Sequence, residues 1–397
     1  MSKKPKVKVS YNPPAKKPKQ TRAEKKKKNA KKPTQGPVLS PEEIAARKKK
    51  NRIKNILLVL ALLVLILIVL IVWVFRLGYY WEVGYARSPE DGADFFTEYE
   101  ATREWSTDTD YAAEELEDAF DAWRYSRLPK DVYITTDDDV TLHADLYDED
   151  SNVTVILLNG YSATADDDFL EAAYYGSLGY NVLMVEQRVH GESEGEFFSY
   201  GLNEADDLQD WIAYIEEFYG NDTQIIIHGK YTGANIALMA ASDGLSDSVA
   251  FIVADSGYTN MYDVGVRILK LEIEMPKWPF YMLTNYYFEK KDGYSIEDVE
   301  ILSGMGSVTT PVIFVCDSAD QYVLAENTEE LYAACGSADK ELLVIDGAGF
   351  NDTYIYGTDE IESLLDTWID SYITVTETDE DETQTDGEVQ EEEASDE

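Results

Sequence analysis

Gln224-Ile225-Ile226-Ile227-His228-Gly229-Lys230-Tyr231-Thr232-Gly233-Ala234-Asn235-Ile236-Ala237-Leu238-Met239-Ala240-Ala241-Ser242 is the stretch on which the fold turns. Its first half, Gln224–His228, is a short apolar run with three consecutive isoleucines, the pattern of a strand buried on both faces. Ala234 to about Ser242 reads as a helix, with only a few residues and two glycines between it and the strand. The same alternation continues in both directions. Upstream, Val132–Thr136 and Leu142–Tyr147 look like an opening antiparallel pair, followed by a buried strand at Val153–Leu158, a helix around Asp168–Leu178 and a strand at Asn181–Glu186. Leu202, Ala205, Leu208, Trp211, Ile212, Ile215 and Phe218, mostly three and four apart, mark a longer amphipathic helix. Downstream come strands at Val249–Asp255, Val312–Cys316 and Glu341–Asp346, and a helix over about Asp359–Ser371.

Such alternation implies an α/β domain, a mainly parallel sheet flanked by helices, over residues 131–374. Ligands in such sheets sit at the carboxyl ends of the strands. One stretch, about 258–306, breaks the rhythm. It is rich in aromatics (Trp278, Phe280, Tyr281, Tyr286, Tyr287, Phe288), carries Pro276 and Pro279, and reads as a cap inserted above those ends.

Charge divides the rest of the chain. The formal net charge is −43, yet the first 54 residues hold 20 of the 34 basic residues and three of the 77 acidic ones (Glu24, Glu42, Glu43). That segment carries +17 and the remainder −60, so the two ends belong in different surroundings. Between them Ile56–Phe75 is an uninterrupted apolar run, about the 20 residues that a helix needs to cross a bilayer core. No small-residue cleavage pattern follows it, so residues 55–76 are read as a retained single-pass transmembrane helix. Trp73, Tyr79, Tyr80 and Trp81 suit the outer headgroup level, and the basic flank places the N-terminus in the cytoplasm and the C-terminal domain outside the cell membrane.

Residues 1–54 then form a disordered basic tail resting on anionic membrane lipid. Nucleic acid is an unfavoured partner for it, since Tyr11 is its sole aromatic. Residues 77–130 form an acidic, partly helical stalk whose aromatics, ending at Trp123, could pack back on the domain, and 375–397 is a disordered acidic tail. Cys316 and Cys335 are read as buried free thiols. With only three histidines in the chain, no metal cage and no cofactor are expected.

Six segments, in order, resemble the motifs of the α/β-hydrolase superfamily, in particular its membrane-anchored bacterial branch of serine-aminopeptidase/lysophospholipase type. Leu158-Asn159-Gly160-Tyr161 is similar to the oxyanion turn, and Gln187-Arg188-Val189-His190-Gly191-Glu192-Ser193-Glu194-Gly195 to the R-x-H-G-x-S-x-G loop. His228–Gly233 stands at the nucleophile elbow and Val253–Tyr258 resembles the strand after it. Asp317–Val323 resembles the acid loop, and Gly347-Ala348-Gly349-Phe350 stands where G-A-G-H belongs.

That resemblance implies a Ser–Asp–His triad. Here Asp320 holds the acid position, Tyr231 the nucleophile position and Phe350 the base position. His190, Gly191, Gly229 and Gly233 are implied to be structural, and the backbone N–H groups of Tyr161 and Thr232 to form the oxyanion hole. A tyrosine oxygen lies several bonds further from the backbone than a serine oxygen, and its phenol stays neutral at pH 7 without a partner. Phenylalanine moves no proton, and losing a positioned base forfeits a factor of about 10² to 10⁴. Ser162, Thr232 and Ser256 as hydroxyls, and His190 and His228 as bases, are the remaining candidates for rescue. The leading expectation is a pseudoenzyme retained for binding, with a small carbonyl or carboxylate ligand as the chemistry its pocket suits. A hydrolase of esters or peptides with rearranged catalytic groups, and an inert structural domain, stay open beside it.

Overall fold

The computed structural model describes residues 40–79, 122–160, 163, 168–220, 222–271, 277–291 and 293–374. The stalk residues 80–121, most of the basic tail and all of the acidic tail fall outside them.

Helix α1 spans Pro41–Tyr79 and begins on a reciprocal cap. The Glu43 N–H donates to Ser40 Oγ (3.2 Å) and the Ser40 N–H donates to the Glu43 carboxylate (2.8 Å), with Pro41 at the first helical position. Residues 41–54 are therefore helical where a disordered tail was expected. The cap starts the helix early, and the Ala, Arg and Lys that follow are good helix formers. The helix is long and apolar enough over Pro41–Trp73 to cross a membrane.

The second unit is an eight-stranded sheet in the order β1-β2-β4-β3-β5-β6-β7-β8. Its strands are β1 Lys130–Thr135, β2 Thr141–Tyr147, β3 Val153–Leu158, β4 Asn181–Glu186, β5 Gln224–Lys230, β6 Val249–Asp255, β7 Val312–Asp317 and β8 Lys340–Ile345. β1–β2 and β2–β4 pair antiparallel, and every later pairing is parallel. Flanking helices are α2 Phe169–Ser177, α3 Glu204–Tyr219, α4 Thr232–Asp243, α7 Ala325–Ala334 and α8 Thr353–Tyr372, with α5 Met261–Leu271 and α6 Lys277–Lys291 in the cap region.

Two apolar layers sandwich the sheet, and strand alternation sorts residues between them. Along β3, Val153, Val155 and Leu157 face the layer under α2 and α8, while Ile156 and Leu158 face the layer under α3 and α4. Ile226 and its neighbours Ile225 and Ile227 divide in the same way on β5. The cap is tied to the body by Tyr294, whose hydroxyl donates to the Phe198 carbonyl (3.0 Å), and by buried Ile296, Val299 and Ile301. Both cysteines are buried and free.

Most element boundaries shift by one or two residues from the sequence reading, and two of the shifts bear on the site. β5 continues past His228 because Gly229 and Lys230 still pair with Ala254 and Asp255. The last helix starts at Thr353 and bends at Gly357, where any Cβ would stand 2.5 Å from Ile345.

Trp123 is buried, its ring tilted against Tyr147 at 4.6 Å, and fills a notch over Gly176 on α2. A Cβ on Gly176 would lie 2.2 Å from the indole nitrogen, so Gly176→Ala should cost about 1–3 kcal/mol by overpacking. Gly265→Ala, whose Cβ meets nothing within 4 Å in the middle of α5, should be neutral or stabilising by about 0.5–1 kcal/mol. Urea unfolding of the two variants beside the native chain checks the contrast.

Candidate active site

Strand register brings the motif segments to one edge. Leu158 pairs with Gly229, Lys230 with Asp255, and Asp317 with Ile345, so the turns after β3, β5, β6, β7 and β8 open side by side. The turn from β5 into α4 is very tight. A Cβ on Gly229 would lie 2.4 Å from the Gly233 carbonyl, and one on Gly233 would lie 1.9 Å from the Leu158 carbonyl oxygen. Both positions demand glycine, and the residue between them is forced into an unusual backbone. Tyr231 has φ 51° and ψ −108°, costly for any side chain but glycine. Its N–H donates to the Asp255 carbonyl (2.8 Å), while its own carbonyl accepts the Asn235 N–H (3.1 Å). The reversal from strand to helix is as sharp as the sequence reading expected of a nucleophile elbow, with a tyrosine at its apex.

The three triad positions meet. The Tyr231 ring packs beside Gly160 of the oxyanion turn and lies 4.8 Å from the Phe350 ring, tilted by 33°. Its hydroxyl accepts the Asn351 N–H at 2.5 Å. Phe350 in turn meets Tyr322 edge-on at 5.0 Å. Asp320 is buried, and one carboxylate oxygen accepts the N–H groups of Tyr322 (2.6 Å) and Val323 (3.1 Å). Burial pushes its carboxyl up to about 6, with those two amides pulling the other way. The Tyr231 phenol is driven well above its ordinary range, first by burial and then by the fields of Asp320, Asp317 and Asp255. It is a neutral, hydrogen-bonded ring at any physiological pH.

The other candidates have different partners. His228 is buried with Nδ1 3.2 Å from the Tyr175 hydroxyl, and burial pulls it down to about 4. His190, with Nδ1 2.9 Å from the Arg188 carbonyl and its ring edge-on to Phe198, is likewise pulled to about 4 by burial. Both stay uncharged at neutral pH. Ser256 Oγ donates to Asp255 (2.8 Å), and Thr232 Oγ1 lies 3.2 Å from the Tyr258 hydroxyl. Tyr161 and Ser162 lie outside the described residues. Thr232 is buried and opens α4.

His190 and Gly191 belong to a loop that is braced on all sides. Arg188 grips Asp207 (2.6 Å to each oxygen) and Asp138 (2.6 and 2.9 Å). Gln187 donates to the Asn159 carbonyl at 2.7 Å, which fixes the start of the oxyanion turn. Gly191 has φ 46°, and a Cβ there would collide with the Glu186 carboxylate.

Beneath the elbow lies a polar layer that sequence reading missed. Lys230 is largely buried, 3.2 Å from Glu171 and 3.6 Å from Asp168. Burial alone would lower its ammonium, but the nearby carboxylates of Glu171, Asp168 and Asp255 outweigh that and hold it charged. Asp255 and Asp317 flank Thr353, whose hydroxyl donates to Asp317 at 2.9 Å and lies 3.3 Å from Asp255. Burial raises both carboxyls, and mutual repulsion adds to the rise at Asp317. The only trace in the sequence is an aspartate ending each of two apolar strands.

Comparison with known proteins agrees with the fold. The profile of the prolyl oligopeptidase family matches residues 167–361. YqkD of Bacillus subtilis (strain 168), an uncharacterized protein, is 29% identical over 183 residues, 46% of this chain. The chain spans only 60% of that relative's length. Among solved structures, an esterase of Pyrococcus furiosus superposes in two crystal forms with TM-scores of 0.54 and 0.53 at 25% identity. These cover 63% and 68% of this chain and 93% and 97% of the esterase.

A carboxyl whose folded pKa is raised is protonated in the native state while the unfolded chain has released the proton. Stability then falls as pH rises above the ordinary carboxylate range near ~4. Asp317→Asn keeps an acceptor for Thr353 and removes that penalty. The variant should show a shallower loss of unfolding free energy than the native chain between about pH 5 and 8, measured by denaturant titration at each pH.

Proposed function

We propose that this chain, an α/β hydrolase by fold and by sequence, is a membrane-anchored pseudoenzyme whose domain lies outside the cell and serves binding rather than turnover. The observation that carries the reading is the locked Tyr231–Phe350 pair at the apex of an intact elbow. The nucleophile position holds a neutral phenol that accepts a hydrogen bond from Asn351, and the base position holds a ring that can only pack. Asp320 has therefore lost the imidazole that it would orient. A small carbonyl or carboxylate compound is the ligand class that suits backbone donors at the elbow. The basic flank of α1 supports contact with anionic lipid on the inner side.

Hydrolysis of esters or peptides by other groups is the competing reading, and the match to the prolyl oligopeptidase family and the likeness to an esterase give it weight. Both are tested with the full-length chain in detergent, assayed on short-chain chromogenic esters and aminoacyl amides. The native chain should be silent at background, and Tyr231→Ser/Phe350→His should gain measurable ester turnover. Turnover by the native chain that Asp320→Ala abolishes would overturn the pseudoenzyme reading.

Orientation has its own test. A C-terminal epitope should be removed by protease added to intact cells, and an N-terminal epitope should be spared. The reverse pattern refutes the outward placement.

A further inference from the structure

Thr353, the first residue of α8, stands between two buried carboxyls. Its hydroxyl oxygen lies 2.9 Å from Asp317 Oδ2 and 3.3 Å from Asp255 Oδ1. A hydroxyl has one proton to donate, so both contacts are hydrogen bonds only when one of the two carboxyls carries a proton of its own. The surroundings favour keeping that proton. Asp255 and Asp317 end neighbouring parallel strands and are 4% and 1% exposed. Asp317 Oδ1 is buried and has no hydrogen-bond partner among the described residues. An ionised carboxylate held in that way is costly.

The charges that face the pair come from several elements. Burial is the largest cause and raises both carboxyls above the ordinary range. Glu171 on α2 pushes Asp255 the same way, and Asp320 in the loop after β7 does so for Asp317. Lys230 at the end of β5 opposes the rise at both, but its ammonium already meets Glu171 and Asp168. Ser256 Oγ, donating to Asp255, also opposes it. The Tyr231 phenol and the Cys316 thiol feel the same aspartates, and burial drives the first well above its ordinary range and the second up to about 12. Neither gives up a proton near neutral pH.

What the proton holds in place is the turn that carries the base position. Residues 347–352 lead directly into Thr353 and are fastened at three points. The Gly347 N–H donates to Ser318 Oγ and the Ala348 carbonyl accepts the Ala319 N–H, each at 2.8 Å. The Asn351 N–H donates to the Tyr231 hydroxyl, and Thr353 bridges the two aspartates. Of these three, the Thr353 bridge is the one that depends on a proton held near neutral pH.

We propose that Asp255, Thr353 and Asp317 form a proton-operated latch, closed while the pair holds one proton, which fixes the Phe350–Asn351 turn against Tyr231 and releases it as pH rises. The sign follows from the raised carboxyls. They keep their proton where an ordinary carboxyl has lost it, so the latch is shut on the acid side and opens as pH climbs through the raised range. It stands on the cluster alone and does not depend on what the pocket binds or whether it turns anything over.

The test uses the full-length chain in detergent with para-fluorophenylalanine placed at position 350, followed by fluorine NMR from about pH 5 to 9. With native side chains elsewhere, the resonance should shift as pH rises. Asp317→Asn, whose amide is a permanent donor, should keep the low-pH resonance throughout. Thr353→Val, which keeps the shape and removes the bridge, should show the high-pH resonance throughout. Asp320→Asn, which removes the other raised carboxyl near the ring, should leave the transition in place. A resonance that does not move with pH in the native chain would overturn the proposal. So would an unchanged transition in both Asp317→Asn and Thr353→Val, or its loss in Asp320→Asn.

Discussion

The contact that governs the active edge of this domain is the approach of α4 to the end of β3. The Gly233 α-carbon comes so close to the Leu158 carbonyl that no side chain fits, and Gly229 is pressed against the same helical turn. From this one crowding follow the sharp reversal after β5, the left-handed backbone at position 231, and the projection of its side chain toward the oxyanion turn. A non-glycine residue in such a conformation costs of order 1–3 kcal/mol and persists only where the surroundings over-determine it. The elbow therefore belongs to the packing of helix on sheet, and it remains in place whatever side chain stands at its apex.

A tyrosine there changes what the edge can do while leaving the scaffold alone. The ring gains buried contact with Phe350 and Gly160, and its hydroxyl binds the Asn351 amide in the neighbouring turn. Two positions that would exchange a proton in a serine hydrolase are here joined by packing. The charged layer below is also self-contained, with Lys230 set among Glu171, Asp168 and Asp255, and Thr353 between Asp255 and Asp317. A cluster of this kind is costly to bury unless its charges are matched, which accounts for the raised carboxyls.

Much of the architecture was legible because strand and helix periods differ. Three isoleucines in a row at 225–227 belong to a strand buried on both faces, and Leu208, Trp211, Ile212 and Ile215 to one helical stripe. The turn at position 231 was legible for another reason: it keeps the glycines at 229 and 233, which backbone crowding demands. What stayed hidden depends on partners distant along the chain. Arg188 is clamped by Asp138, 50 positions before it, and Asp207, 19 after it. Lys230 at the end of β5 meets Glu171 on α2, and His143 meets Glu186 across a ladder. No local pattern records such pairings. The start of α1 at Pro41 was missed because charge density was weighed and the Ser40–Glu43 cap was not.

Trp123 in its notch over Gly176 has a mechanical side. Tension arriving along the chain from the N-terminal direction reaches this indole before it reaches β1, which is an edge strand paired on one side only. An edge strand pulled from its end can unzip one rung at a time, whereas a ring seated between a glycine and Tyr147 must slide out as a unit. A pull on the chain just ahead of Trp123 must therefore unseat the ring before any load reaches the first hydrogen bonds of the sheet.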